Sequence, residues 1–449
     1  MADKISTRRI FNIALPLIFQ QLSMQVQIWV DRAMLGHIDS RYFSAVGNSV
    51  VPFYAIYAII SGLCVGTTIL IAQNIGERNF EKSKNYAECS FIGNSIFPLL
   101  AFLFFFFLSP YLFKIMGVQP PVLEYSISYI KILSFSLLLL GPISSCTSVM
   151  QGIGITKVIM ISGILSNILN ILLDWILIFG NLGFPKMNMQ GAALASVISN
   201  YITAPIIIMY VFKSKLIPFK IRIKKIFSFR WGLYKSIFKI GVPSGAEIGL
   251  WHIGNIILVS FLNRLDIMAA GIYTLIFSIE ILPWFFYMGF ANAALTLVGQ
   301  KTGENNNKLA INAGLRCLRF SLIICIVIAA IFISFPRGIL AIFTSDVSLI
   351  DYAALFLIIT SFTMIPRAIN NVIGLAIKGI GDTRWMLYGQ IFGTILIIVL
   401  SYVLIFPLSL GLLGLFIAFF VDESIRGIIN LLRFFKGREF FFLKPFERN

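Results

Sequence analysis

Twelve apolar runs follow one another along the chain, each near the twenty or so residues a helix needs to cross a hydrocarbon core of about 30 Å. They are residues 11–35, 50–72, 91–113, 126–148, 158–180, 190–212, 236–262, 274–298, 315–335, 352–376, 385–407 and 411–433. Inside a bilayer every backbone amide must find its partner within the protein, so a run of this length can only be a helix. The fold class expected is an all-α membrane protein with twelve transmembrane helices. Composition agrees, with 58% of the 449 residues hydrophobic and 12% charged. Pro98, Pro142 and Pro366 fall inside spans and predict kinks. A basic start (Lys4, Arg8, Arg9) precedes the first run with no small-residue cleavage site behind it, so that run is read as a retained helix.

The net charge of +17 would suit a nucleic-acid partner if it were spread over a soluble surface. Instead, most of the 36 Lys and Arg lie at the N-terminus, the C-terminus and the connections after even-numbered spans. That is the positive-inside pattern, and it predicts a multi-pass protein of the plasma membrane with both termini cytoplasmic and no nucleic-acid partner. The five cysteines are scattered without CxxC spacing, and His37 and His252 stand far apart. Neither a disulfide framework nor a metal site is indicated, and no intramembrane nucleophile and base are paired, so the chain is not expected to be an enzyme. No GxxxxGK[ST] loop is present to couple ATP directly.

The stretch KSKLIPFKIRIKKIFSFRWGLYK, residues 213–235, divides the spans six and six. Shifting the sequence by about 227 residues superposes Phe11 on Phe238, Pro16 on Pro243, Asp39 on Asp266, Gly62 on Gly289, and QNIGE (73–77) on QKTGE (300–304), and the register persists through QGIGITK (151–157) and KGIGDTR (378–384). One constant offset over so many positions implies an internal duplication, with lobes at 1–212 and 236–449 joined by a basic cytoplasmic linker at 213–235. Six spans per half put both halves in the membrane in the same direction, as parallel repeats related by a pseudo-twofold axis. The glycine-bearing loops read as tight turns.

The stretch QVQIWVDRAMLGHID (25–39) places a carboxylate where a span should be apolar. At 1.5 Å per residue, Asp31 stands about 28 Å into span one. Asp174 stands about 25 Å into span five by the same count. Gln20, Gln27 and Asp31 share one helical stripe, as do Asn167, Asn170 and Asp174. Tyr129 and Ser196 reach the same depth on spans four and six. Two acids at matching depth on different helices predict one shared site, in which they cannot easily both stay ionised without a proton or cation. The alternative for Asp31 is an early helix end, with the carboxylate paired to Arg32 or to headgroups. Under the 227-residue shift, Asp31 and Asp174 fall on Leu258 and Ser401, so only the N-terminal half carries the acids.

The C-terminal half has Glu247, Glu280, Arg367 and Asp422 within spans, with Glu423 and Arg426 beside them. These read equally as substrate contacts and as structural ion pairs. Phe53, Tyr57, Tyr287 and Met288 are candidates to line a cavity for a flat organic cation.

Taken in order, LPLIFQQL with VDRAMLGHID, the GxxxxxxxxxxQxxGE pattern at 62–77 and 289–304, the GxGxT loops and the VDESIRGIINLLRFFKG ending resemble the multidrug and toxic compound extrusion (MATE) transporter family over nearly the whole chain. The resemblance implies a secondary antiporter that expels organic, cationic, amphipathic compounds in exchange for H⁺ or Na⁺ by alternating access, with no cofactor beyond the coupling ion. Its expected partners are small-molecule substrates and membrane lipid, and it is expected to act as a monomer. The resemblance also implies a cation-responsive cluster, in which Asp31, Asn170 and Asp174 fall at the family's positions and Tyr129 and Ser196 correspond by place and type. Trp251 and Arg367 stand where some relatives carry acids, which weighs against a second sodium site in the C-terminal half. A lipid-linked saccharide flippase would need a cluster of intramembrane arginines facing the central cavity, and arginines well inside the spans are few (Arg367 and Arg426). An intramembrane transferase finds still less support.

Overall fold

The computed structural model describes residues 5–36, 38–265 and 267–440; Lys4, His37 and Asp266 lie outside them. The helices in chain order are α1 (Thr7–Gly36), α2 (Ser40–Gly76), α3 (Phe80–Ile115), α4 in two pieces (Val122–Ser134 and Ser136–Ile153), α5 (Lys157–Phe179), α6 (Asn188–Lys213), α7 (Trp231–Leu265), α8 (Ile267–Gly303), α9 (Asn307–Ser334), α10 (Val347–Ile380), α11 (Thr383–Ile405) and α12 (Gly411–Phe440). Short helical turns at Ile223–Ile226 and Pro336–Leu340 join them, and no strand occurs among the described residues. Among the described residues, eleven helices are long and apolar enough to cross a membrane, counting the second piece of α4. The remaining one, α12, carries Asp422, Glu423, Arg426 and Arg433 along its length, and pairing offsets that charge. This is an all-α, multi-pass integral membrane protein.

None of the prolines that predict kinks breaks its helix: Pro98, Pro142 and Pro366 each lie inside a continuous one. The interruption within span four falls instead at Phe135. Hydroxyls take up carbonyls around this break: Tyr201 donates to the Phe135 carbonyl at 3.1 Å, Ser134 to Lys131 at 2.7 Å and Ser136 to Leu133 at 2.6 Å. Such local satisfaction is what allows a broken helix at membrane depth.

The chain packs as two compact units, one of residues 15–245 and one formed by the residues up to Ala14 together with those from Ala246. Both divisions fall inside helices, close to Pro16 of α1 and Pro243 of α7, the prolines superposed by the 227-residue shift. In the 15–245 unit, α2 and the start of α7 approach backbone to backbone. A Cβ on Gly62 would lie 2.4 Å from the Gly245 nitrogen, and one on Gly66 would lie 2.7 Å from the Ile237 carbonyl. Lipid tails are as apolar as leucine, so this close approach of small residues supplies the packing that a hydrophobic driving force would supply in water. The other unit has its own aromatic core, with Phe356 stacked on Phe416 at 5.1 Å and Tyr273 on Phe419 at 6.2 Å.

The repeated loops turn alike. Gly154 ends α4 at φ 95° and Gly381 ends α10 at φ 107°, both left-handed positions that favour glycine. After α2 and α8, Arg78 and Asn305 take φ 57° and 54°. The next residues, Asn79 and Asn306, then cap α3 and α9 through their side chains. These loops are turns and caps, as the glycine spacing predicts.

Candidate functional site: a buried pair of carboxyls

α1 runs unbroken to Gly36, so Asp31 sits inside the helix rather than at an early end. Its side chain meets residues of α5, and through Asn170 the cluster extends to α6, within the 15–245 unit. Gln27, one turn earlier, donates to Asp31 Oδ2 at 2.5 Å, and its Nε2 also lies 2.5 Å from the Asn170 amide. The carboxyls of Asp31 and Asp174 are within hydrogen-bonding reach of each other. Asn170 lies between them and α6. With its NH₂ turned to the acids it donates to Asp31 Oδ1 at 3.2 Å and Asp174 Oδ2 at 3.3 Å, while its oxygen accepts from Ser196 Oγ at 3.2 Å and Ser196 N at 3.1 Å. In the opposite orientation its oxygen accepts from Gln27 at 2.5 Å and its NH₂ donates to Ser196 Oγ at 3.2 Å; the first suits two ionised carboxylates, the second a carboxyl that carries a proton. One turn before Asn170, Asn167 donates to Ser23 of α1 at 2.9 Å, which continues the polar seam between α1 and α5.

Asp174 is 0% exposed and Asn170 2%, so the cluster is shielded on the α5 side. Tyr129, buried on α4, lies close enough to both acids to feel their charge. The arrangement thus brings together all six residues that sequence reasoning grouped: Gln27, Asp31, Tyr129, Asn170, Asp174 and Ser196. One atom in it is left over. Asp174 Oδ1 is buried and has no hydrogen-bond partner. A carboxylate oxygen out of water and unpaired is costly, and a proton or small cation relieves that cost.

In the other unit the candidate charges are engaged with one another. Arg367 of α10 bridges Glu280 of α8 at 2.6 Å and Glu423 of α12 at 3.3 Å. Arg426 holds Asp422 at 2.5 Å and reaches Gln390 of α11 at 3.0 Å. Glu247 of α7 pairs with Lys378 of α10 at 2.7 Å. Asn370 donates to Glu423 at 2.8 Å and accepts from Asn430, which in turn accepts from the Trp385 ring N–H. Sequence reasoning missed Lys378, Asn370, Gln390 and Asn430. Arg367, Asn370 and Lys378 stand at i, i+3 and i+11 on α10, a helical stripe that could have revealed the network. Of the aromatic candidates, Tyr287 is buried near Arg367 and Glu280. Phe53 is stacked on Phe105 at 6.3 Å, Met288 is half-buried and Tyr57 is exposed.

The MatE family model matches residues 16–176 and again residues 243–403, two copies set apart by the same 227 residues that the sequence repeat shows. Along nearly its whole length the chain is similar to the probable multidrug resistance protein NorM of Thermotoga maritima, at 27% identity over 96% of this chain and 92% of the relative. It is also similar to the multidrug export protein MepA of Staphylococcus aureus, at 23% identity over 95% of this chain and 92% of the relative. Among solved structures, a MOP superfamily transporter from Pyrococcus furiosus superposes with a TM-score of 0.89 at 23% identity, covering 97% of this chain and 96% of that one. An outward-facing multidrug resistance MATE family transporter gives 0.88 at 22% identity, covering 96% of each chain. At these identities the structures speak to the fold, the two-lobed arrangement of twelve helices, while the family rests on the doubled match. This chain is a member of the MatE family of membrane transporters.

Proposed function

We propose that the protein is a secondary antiporter of the plasma membrane, with both termini cytoplasmic, exporting organic amphipathic cations in exchange for protons. The observation that carries this reading is the pair of carboxyls, Asp31 and Asp174, buried within reach of each other with Asp174 Oδ1 unpartnered. Two such groups repel unless a proton or cation lies between them, so the pair is suited to loading and unloading one positive charge per cycle. Family membership and the multidrug relatives support export of organic compounds. Asn170 lies against both acids and can turn either its oxygen or its NH₂ to them, so it serves either ion; the choice of the proton over Na⁺ is supported by Trp251 and Arg367, which stand where some relatives carry acids. Protonation removes the negative charge that would hold a cationic substrate and so favours its release, and alternating access follows from motion of one lobe relative to the other. Na⁺ on the same residues is the competing assignment. Efflux of a fluorescent organic cation from proteoliposomes tests it: a proton gradient in sodium-free buffer should drive transport, and a sodium gradient at matched pH should not.

A further inference from the structure

The basic segment between α6 and α7 is neither loose nor fully solvated. Ile217, Phe219 and Ile221 are buried and alternate with exposed Pro218, Lys220 and Arg222, so the chain lies down on its unit with one face in and one face out. Glu88 of α3, only 1% exposed, closes the loop that follows: it accepts from the Arg222 backbone N–H at 3.0 Å and from the Arg230 guanidinium at 3.3 Å. Arg230 also reaches Asn85 at 3.1 Å, and its carbonyl accepts from the Cys89 thiol at 3.4 Å. Pinned at both ends, the loop projects a short helical turn, Ile223–Ile226. The surface it presents is unusual for solvent, since Phe227 is 77% exposed, Ile223 64% and Trp231 59%. Lys220, Lys224 and Lys225 are exposed beside them, and among the described residues none of these three enters an ion pair.

We propose that this surface is a docking site for an anionic phospholipid, with Lys224 and Lys225 on the phosphate headgroup and Ile223, Phe227 and Trp231 seated in the interfacial layer. The segment joins Lys213 to Trp231, the ends of two membrane-spanning helices, so the headgroup layer is the anionic surface within its reach. Lysines flanked by large apolar side chains suit that layer, where the charge meets the phosphate and the rings meet the glycerol and acyl boundary. Because Glu88 already holds the loop closed, binding loses little freedom on ordering. The proposal stands on the membrane spans and this loop alone and is independent of the coupling ion.

Native mass spectrometry of the full chain, titrated with phosphatidylglycerol or phosphatidylcholine of identical acyl chains, tests it. The wild type should hold phosphatidylglycerol at least about tenfold more tightly, each lysine contributing about fivefold. K224Q/K225Q should abolish the preference, F227S should weaken both lipids, and Lys308→Gln, an exposed lysine at the start of α9, should change neither. E88A keeps every basic charge but removes both acceptors that hold the loop, and it should reduce the preference in a protein whose thermal unfolding in phosphatidylcholine is otherwise intact. Equal affinity for the two lipids, an unchanged preference in K224Q/K225Q, an equal loss in Lys308→Gln, or displacement of phosphatidylglycerol by equimolar free glycerol phosphate would each overturn the proposal.

Discussion

Asp174 is the residue on which the proposed coupling turns. It is flanked by apolar side chains in the sequence, fully buried, and has one carboxyl oxygen without a partner. An isosteric Asp174→Asn keeps the volume and removes the charge, so the protein should insert and fold as before. Efflux driven by an ion gradient should fall to the rate of protein-free vesicles, and Asp31→Asn should do the same. Size-exclusion profiles and matched reconstitution levels would separate this loss from misfolding. Asn170→Ala is subtler. It removes the amide that lies against both acids, so substrate binding should remain while its change with pH flattens. The acids were legible in the sequence because a carboxylate stands out against apolar neighbours and because helical spacing aligns Gln27 with Asp31 and Asn170 with Asp174. The orphaned Oδ1 was not legible, since a missing partner depends on packing that spacing does not encode.

Helix pairs carry the stability of each unit, and two contacts make it measurable. The crossing of α2 and the start of α7 has no room for a side chain at Gly62, where an added Cβ would meet the Gly245 backbone at 2.4 Å. Gly62→Val should cost about 1–3 kcal/mol by overpacking, read as a lower unfolding temperature in detergent, whereas Gly249→Ala, where a Cβ would meet nothing, should be near neutral. In the C-terminal unit, α8, α10 and α12 are tied by Arg367 between Glu280 and Glu423. Removing one member strands the others out of water, so Glu280→Gln should destabilise by about 3 kcal/mol. Adding Arg367→Gln should then cost less than the sum of the single changes, with an interaction energy of about 0.5–3 kcal/mol in a double-mutant cycle. Lys378 shows why this network was only half readable. It stands in KGIGDTR, where glycines signal a turn, yet it occupies the last turn of α10 and reaches Glu247 on α7. Local composition marked the loop correctly, and the long-range partner came only with tertiary packing.

Over the whole chain, the duplication organises both fold and function. Turn geometry repeats at a constant offset, from the left-handed pair Arg78 and Asn305 to the glycine caps Gly154 and Gly381. That much follows from the sequence, because backbone turns depend on local residue type. What does not repeat is the chemistry: the acids stand in one half, where Leu258 and Ser401 fill the corresponding places in the other, and the second half answers with a network of ion pairs. An asymmetric pair of lobes is suited to a division of roles in which one half loads the coupling ion. The measurement that bears on this most directly is efflux of a fluorescent organic cation from proteoliposomes under an imposed proton gradient in sodium-free buffer, with wild type and Asp174→Asn compared at equal protein. Proton coupling through the Asp31 and Asp174 pair predicts efflux that follows the gradient in the wild type and disappears in the variant. Gradient-driven efflux that persists in Asp174→Asn, or wild-type efflux that ignores the proton gradient and follows a sodium gradient instead, would contradict it.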